Sequence, residues 1–561
     1  MRKQTKLVAV LSTAALLALG ASMSSFAATG WQEENGTWVY YDKSGDKETE
    51  KWEKSGDNWF YLNEDGEMAT DSIVEYNDNY YYVDENGSMV ANKWVSIEND
   101  DYSGDEENEP ANHWYYFGSN GKAFKTADTS SSASFKTING KKYIFDNDGK
   151  MLYGWINSVG ERETTDEDEW VEGIYYCGDE NDGAQRIGWA SIDIVDPNYE
   201  DSKVKTSSGN VFDDENQTRW FYFKDNGKKT TDENGKKING KKYSFDMQGR
   251  MNAEWVNWEA TPSTASEATA AKSYISGFRY YGSPEDGARV TKGWFQVVPD
   301  SYLGDEDYQD DEENWYYSDK DGKLTVSEIK TINGKKYAFN ERGVMQDGLK
   351  IVKFATDANG KTSSSDILEI AGDGGGETGL KFKDGDQFKD NMSAIYGQKY
   401  ALYYFGSGDD GSMKTGKQTV AIDGDNYSFL FNKSGGSKGQ GKLGVDNDKY
   451  YLGGMLMQAD KDDKYAVIKA EKDSNGKYTT ITLLKTDEFV KEMNVSNTAA
   501  DHKGTEEYYD MTEAAAGSDT VEYRLVNTAG TVQKNKSKAK DGDDRCFEVK
   551  GNKIVAVYVE D

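Results

Sequence analysis

Cysteine and histidine are nearly missing from this 561-residue chain. Two of each occur: Cys177 and Cys546, His113 and His502. A chain this long without a disulfide framework takes its stability from stacked repeats or ordinary cores. One long-range bridge between the two cysteines is the alternative. So few histidines leave no Ser-His-Asp or Cys-His arrangement, and both are expected to be structural or solvent-exposed. Proline is scarce as well, with five residues against 58 glycines, which suits hairpins joined by glycine turns. Basic charge is in deficit, 66 Lys and Arg against 100 Asp and Glu, a net charge of -34. Binding to nucleic acid or to an anionic membrane relies on Lys and Arg, so both are disfavoured, and a cationic or neutral partner fits better. Long apolar runs are absent beyond Leu7 to Ala21. That run follows the basic start Arg2, Lys3, Lys6 and precedes Ser25-Phe26-Ala27, the pattern of an export signal cleaved before Ala28. It is too short for a convincing membrane span, so no membrane insertion is expected.

What is abundant is repetition. Trp31, Trp52, Ile73 and Trp94 are each 21 residues apart, as are Trp38, Trp59 and Tyr80, and Gly45, Gly66 and Gly87. A period of this size signals an array of small units. In Trp52 to Thr70, two aromatic-rich segments flank polar turns. Trp59 and Tyr61 fall on one strand face, Phe60 and Leu62 on the other, and Asn63 to Gly66 supplies a turn. Each unit reads as a β-hairpin. A lone hairpin is marginal in water, so the units must stack to bury their aromatics. The fold expected is all-β, a repetitive β-hairpin solenoid, with a small C-terminal region that the pattern leaves open as a separate domain.

Further on the period lengthens. Ile138-Asn139-Gly140-Lys141-Lys142-Tyr143 returns at Ile238 to Tyr243 and Ile332 to Tyr337, with a degraded copy at Ile422 to Tyr427. Gly188-Trp189 and Gly293-Trp294 form another matched pair. The alignment sets Cys177 opposite Tyr281, which makes it a drifted aromatic position. Mostly acidic insertions at 97–112, 157–172, 191–218, 257–276 and 297–313 each lie between a Trp and the next aromatic strand, so they read as long hairpin loops. Asp146-Asn147-Asp148-Gly149 and Asp319-Lys320-Asp321-Gly322 look superficially like calcium loops but lack the closing Glu and occupy the recurrent turn. No metal or cofactor is expected. Tryptophan disappears after about residue 350. Residues 464–520 are the least repeat-like, with a short helix expected at Thr486 to Glu492. Gly530 and Gly551 are again 21 apart, with Leu525 and Cys546 in corresponding places. The domains expected are a signal at 1–27, short repeats at 28–137, long-period repeats at 138–345, degenerate repeats at 346–463, and a C-terminal region at 464–561 ending in repeat-like hairpins.

The pattern Gly-Trp, polar turn, Trp-Tyr-Tyr, Asp-x-x-Gly and Met resembles the choline-binding or cell-wall-binding repeats of Gram-positive surface proteins. Gly30-Trp31 with Trp38-Val39-Tyr40-Tyr41 and Gly45 carries it. So does Trp52 with Trp59-Phe60-Tyr61-Leu62, Gly66 and Met68. The Ile-Asn-Gly-Lys-Lys-Tyr form is similar to the related repeats of glucan-binding proteins and clostridial toxins. The resemblance covers residues 29–345 well, and 400–455 and 521–561 weakly. It implies aromatic cages made of two Trp from one hairpin and a Tyr from the next. Carried over by position, the cages are Trp31, Trp38 and Tyr61, then Trp52, Trp59 and Tyr82. Ile73 and Tyr80 break the third. Trp94 and Trp114 are a further candidate, and the same question arises for Trp189 with Trp220 and Trp294 with Trp315. The function implied is a non-catalytic secreted protein, associated with the cell wall, that binds a repetitive wall polymer such as teichoic acid or a glycan. The alternative is an extracellular glycan-binding protein or adhesin using the same rings. An attached enzyme would need an uninterrupted non-repeat stretch of about 100 to 200 residues, which neither 350–395 nor 464–520 provides.

Overall fold

The computed structural model describes residues 29–102, 104, 109–127, 131–165, 168–199, 212, 214–258, 272–356, 362–371, 384–395 and 400–561. The expected export signal lies outside these residues. Two compact units form. One comprises the described residues up to Pro197 with Asn216–Asp232 and Asp246–Arg250. The other comprises Glu233–Phe245 and Met251–Asp561 with the described part of Asn198–Glu215.

The first unit is a series of two-stranded antiparallel hairpins. They are β1 (Gly30–Glu34) with β2 (Thr37–Tyr41), β3 (Lys51–Ser55) with β4 (Asn58–Leu62), β5 (Ser72–Tyr76) with β6 (Asn79–Val83), and β7 (Lys93–Glu98) with β8 (Asn112–Phe117). Then follow β9 (Lys136–Ile138) with β10 (Lys141–Tyr143), β11 (Trp155–Ile156) with β12 (Tyr175–Tyr176), and β13 (Gly188–Val195) with β14 (Asn216–Phe223). The chemistry of the tight turns follows from sequence. Asn35 and Gly36 both take positive φ, 51° and 88°, as do Asn139 and Gly140 at 49° and 83°. Positive φ at both central residues matches the twist of the flanking strands, which explains the Asn-Gly of the recurring motif. After each second strand the chain makes an Asx turn. Asp146 Oδ1 accepts the N–H groups of Asp148 and Lys150 at 3.0 and 2.7 Å. Asp319 Oδ1 accepts those of Asp321 and Lys323, each at 2.8 Å. These carboxylates thus serve the turn itself.

One backbone hydrogen bond sets the stacking. A residue six to eight places after the end of the second strand donates its N–H to the preceding hairpin. Met68 bonds Trp38 O at 2.7 Å, Met89 bonds Trp59 O at 2.8 Å, Met151 bonds Trp114 O at 2.7 Å and Lys229 bonds Ile174 O at 2.7 Å. Its side chain lies over the turn glycine of the next hairpin. A Cβ on Gly87 would stand 2.8 Å from Met68 Cε, and its φ of 78° favours glycine. The last residues of the second strands, Leu62, Val83 and Phe117, are fully buried between hairpins. The insertions at 97–112, 157–172 and 191–218 each fall between the two strands of one hairpin, as the spacing predicts, with the strands themselves running on to Glu98 and Val195; the described part of the second carries the four-residue helix Glu169–Glu172.

The second unit continues with β15 (Glu233–Ile238) and β16 (Lys241–Phe245), β17 (Glu254–Asn257) and β18 (Phe278–Tyr281), β19 (Trp294–Val297) and β20 (Asn314–Tyr317), and β21 (Glu328–Ile332) and β22 (Lys335–Phe339). From Leu349 the two-stranded pattern gives way to sheets of three, five, three and four strands. The first three share a core that includes Ile351, Phe388, Phe429, Leu452, Ile468 and Ile481, and the four-stranded sheet packs in a second one with Val467, Leu525, Phe547 and Val557. The expected short helix forms at Thr486–Met493. Leu525 and Cys546, which the 21-residue spacing sets in corresponding places, sit differently. Leu525 lies on Val521–Asn527, which pairs with Tyr465–Lys472 far back in the chain. Cys546 lies in a local meander of Lys536–Lys540, Arg545–Lys550 and Lys553–Glu560. Both cysteines are buried free thiols, and Cys177 packs with Ile144 and Ile156. His113 pairs with Ile97 across β7 and β8, and His502 stacks on Tyr508 with ring centroids 3.5 Å apart.

Candidate ligand-binding cages

Cross-strand register builds the aromatic sites. Residues directly opposite in an antiparallel pair share a face. Trp31 opposes Tyr40, and Trp38 stands two residues away opposite Glu33. Trp52 opposes Tyr61 with Trp59 opposite Lys54. Trp94 opposes Tyr116 with Trp114 opposite Ser96. Each hairpin therefore carries a Trp-Tyr pair and a diagonal Trp on one face. The diagonal is measured directly in two later hairpins, as edge-to-face rings 6.2 Å apart for Trp189 and Trp220 and 6.3 Å for Trp294 and Trp315. Two perpendicular indoles form a corner.

The third wall comes from the next hairpin. Trp31 meets Phe60 at 5.4 Å, Trp52 meets Tyr81 at 5.1 Å, Trp94 meets Tyr143 at 4.8 Å and Trp294 meets Tyr337 at 4.8 Å. In every case this ring stands three residues before the Asn or Asp that opens the following turn, Asn63, Asp84, Asp146 and Asn340. Tyr61 and Tyr82, expected to close the first two cages, are placed elsewhere. Tyr61 packs on Trp52 of its own hairpin and on Tyr76, at 5.2 and 6.1 Å. Tyr82 stacks on Phe117 at 6.0 Å and donates its hydroxyl to Asp71, and burial with that bond pushes its pKa up to about 12. The reason is strand alternation. A stack of like sheets brings one face of a hairpin against the opposite face of the next. The ring following Trp31 and Trp38 must therefore lie on the Phe60 face of β4, not on the face shared by Trp59 and Tyr61. The signal was present in the sequence as the ring between Trp59 and Tyr61.

At two of the sites the methionine whose N–H makes the stacking bond packs in the same apolar cluster as the rings, Met151 with Trp94, Trp114 and Tyr143, and Met345 with Trp294, Trp315 and Tyr337. Trp59 is 41% exposed, so its cage opens to solvent. The third interface differs. Ile73 and Tyr80 replace the indoles, and the Lys125 ammonium lies 5.0 Å from the Tyr80 ring centre. Trp315 donates its indole N–H to Asp409 at 2.9 Å, which adds a carboxylate beside the cage of Trp294 and Tyr337. Ring faces carry negative potential, and a cation without N–H donors gains roughly 0.5 to 2 kcal/mol per ring in contact with such faces.

Comparison with known sequences gives a consistent picture. A profile described as Choline-binding repeat matches residues 49–94. One described as Putative cell wall binding repeat matches 111–123, 134–151 and 308–324. No curated protein matches. Among solved structures, the modular autolysin LytC of Streptococcus pneumoniae aligns at 18% identity over 59% of this chain, with a TM-score of 0.30; the chain covers 56% of the autolysin's length. The choline-binding domain of CbpL from Streptococcus pneumoniae aligns at 17% identity over 54% of this chain and 100% of that one, TM-score 0.22. Choline binding protein F of the same species aligns at 17% over 78% of this chain and 100% of that one, TM-score 0.20. No score reaches 0.5, so the assignment rests on the repeats themselves. The chain carries repeats of the choline-binding, cell-wall-binding kind within residues 49–151 and again at 308–324.

Proposed function

We propose that this chain is a non-catalytic, secreted surface protein that binds a repetitive wall polymer through quaternary ammonium groups held in its open cages. The observation that carries the reading is the recurrence of one constellation, two indoles and a ring from the next hairpin, at Trp31/Trp38/Phe60, Trp52/Trp59/Tyr81, Trp94/Trp114/Tyr143 and Trp294/Trp315/Tyr337. Three ring contacts amount to about 4 kcal/mol, a millimolar affinity. That is too weak for one site to retain a protein. Several sites on one polymer gain through effective concentration, so an array suits a ligand that itself repeats. The net charge of -34 adds a field that favours cations over the anionic phosphate of the same polymer.

The test is equilibrium dialysis of the full chain against choline chloride. The expected result is millimolar binding at several sites per chain, with one site lost in the double variant Trp52→Leu, Trp59→Leu. No choline uptake, with retention on an immobilised glucan instead, would replace this reading by the glycan-binding one.

A further inference from the structure

At one interface the methionine position is held by a lysine, and its ammonium lies where the other cages have room for a cation. Lys229 makes the stacking bond to Ile174 O. Its stem packs on the next turn as a methionine does, with Cδ 2.8 Å from where a Gly249 Cβ would stand. Its Nζ lies 5.1 Å from the centre of the Trp155 ring, the indole of this interface, which also meets Phe221 of the next hairpin at 5.1 Å. The same Nζ donates to the backbone carbonyls of Trp170 and Val171, the second at 3.3 Å. Those two residues belong to the helix of the 157–172 hairpin loop, and Trp170 closes over the site. Trp155 and Trp170 are 1% and 2% exposed and Lys229 is 6% exposed. The loop is held from outside. Trp170 donates its indole N–H to Val195 O at 2.7 Å, and its ring carries the Arg250 guanidinium at 4.8 Å. That guanidinium is paired with Asp196 and Asp246. Burial draws the Lys229 pKa down to about 8, which still leaves the ammonium charged at neutral pH.

We propose that the cage of Trp155 is permanently self-liganded: the Lys229 ammonium is its resident cation, the helix Glu169–Glu172 is its cover, and its two carbonyl acceptors make it selective for a primary over a quaternary ammonium. A quaternary ammonium has no N–H to give the carbonyls of Trp170 and Val171, so burying it there would leave both unpaired. A cation held against a desolvated indole face and two carbonyls is favoured over one in water only when its donors are met. This interface therefore contributes no site for an external ligand, and Lys229 sets that.

The experiment is chemical rescue in the full chain. Lys229→Ala removes the atoms of n-propylammonium. The variant should melt roughly 5 °C or more below the wild type. Added n-propylammonium should recover most of that loss in the variant and leave the wild type unmoved, while choline at the same concentration recovers none. Equal effects on variant and wild type, or recovery by choline, would overturn the proposal. Should Lys229→Ala fail to fold, Lys229→Met keeps the side chain used at the equivalent position elsewhere. In that case the Hε protons of Lys229 in the wild type must resonate upfield of the other lysines, and the signal must vanish in the variant. An ordinary Hε shift overturns the proposal. Neither readout requires the open cages to bind choline, so failure of the proposed function and failure of this inference are distinguishable.

Discussion

Tyr81 and Tyr82 are neighbours in sequence and stand on opposite faces of β6, which separates two accounts of the second cage. Tyr81 lies 5.1 Å from Trp52, tilted 58°. Tyr82 is turned toward Phe117 and Asp71. Tyr81→Leu retains an apolar side chain and removes the ring's quadrupole. One ring of three is worth about 0.5 to 2 kcal/mol, so the affinity of this cage for choline should fall roughly 2- to 30-fold. Tyr82→Leu removes an exposed hydroxyl bond and the ring packing on Phe117, which lowers stability by about 1 kcal/mol and leaves that affinity unchanged. The assay is a choline titration followed at the indole N–H resonances of Trp52 and Trp59, which resolves this cage from the others. If Tyr82→Leu weakens the Trp52 titration and Tyr81→Leu does not, the face assignment is refuted.

Glu254 occupies the place that Gly154, Gly188 and Gly293 hold before the other tryptophans, at φ 54°, and is 1% exposed. Burial raises its pKa to about 7, against a partial offset from the Tyr280 hydroxyl. A carboxyl with a raised folded pKa favours the native state most below about pH 4.5 and loses that contribution as pH rises toward 7, by about 3 kcal/mol in all. Urea melts from pH 4 to 8 should show this decline in the wild type and a flatter profile in Glu254→Gln; parallel profiles would contradict it. Gly87→Ala combines φ 78° with a Cβ 2.8 Å from Met68 Cε, so it should cost about 1 to 3 kcal/mol in a denaturant melt, whereas Gly36→Ala, with open space around it, should cost less. Cys177 is fully buried and its thiol pKa is raised to about 12, so a thiol reagent should label it only after denaturation; rapid labelling of the native chain would contradict its placement.

Much of this fold was legible because it is local. Asn139-Gly140 specifies a two-residue turn, alternation specifies which rings share a face, and the acidic insertions fall where a hairpin loop can grow without disturbing the stack. The third cage wall was not read because a single hairpin does not say which face its neighbour covers. Once Trp31 is known to meet β4, alternation requires Phe60. The chain beyond Leu349 was least legible for a different reason. Val521–Asn527 looks like half of a hairpin, yet its partner is Tyr465–Lys472 rather than the following strand. Nonlocal pairing of this kind leaves no period in the sequence. The substitution of Lys229 for methionine was visible as a residue, but its meaning depends on Trp155, Trp170 and Phe221 meeting around it.

The most direct test of the cage account is sedimentation of the purified chain with choline-bearing Gram-positive cell walls, with and without excess free choline, beside a variant carrying Trp38→Leu, Trp59→Leu, Trp114→Leu and Trp315→Leu. These indoles are partly exposed and line the open cages. The account predicts that the wild type pellets with the walls, that choline releases it, and that the folded variant stays in solution. Retention of the variant, or wild-type binding that choline leaves untouched, would contradict it.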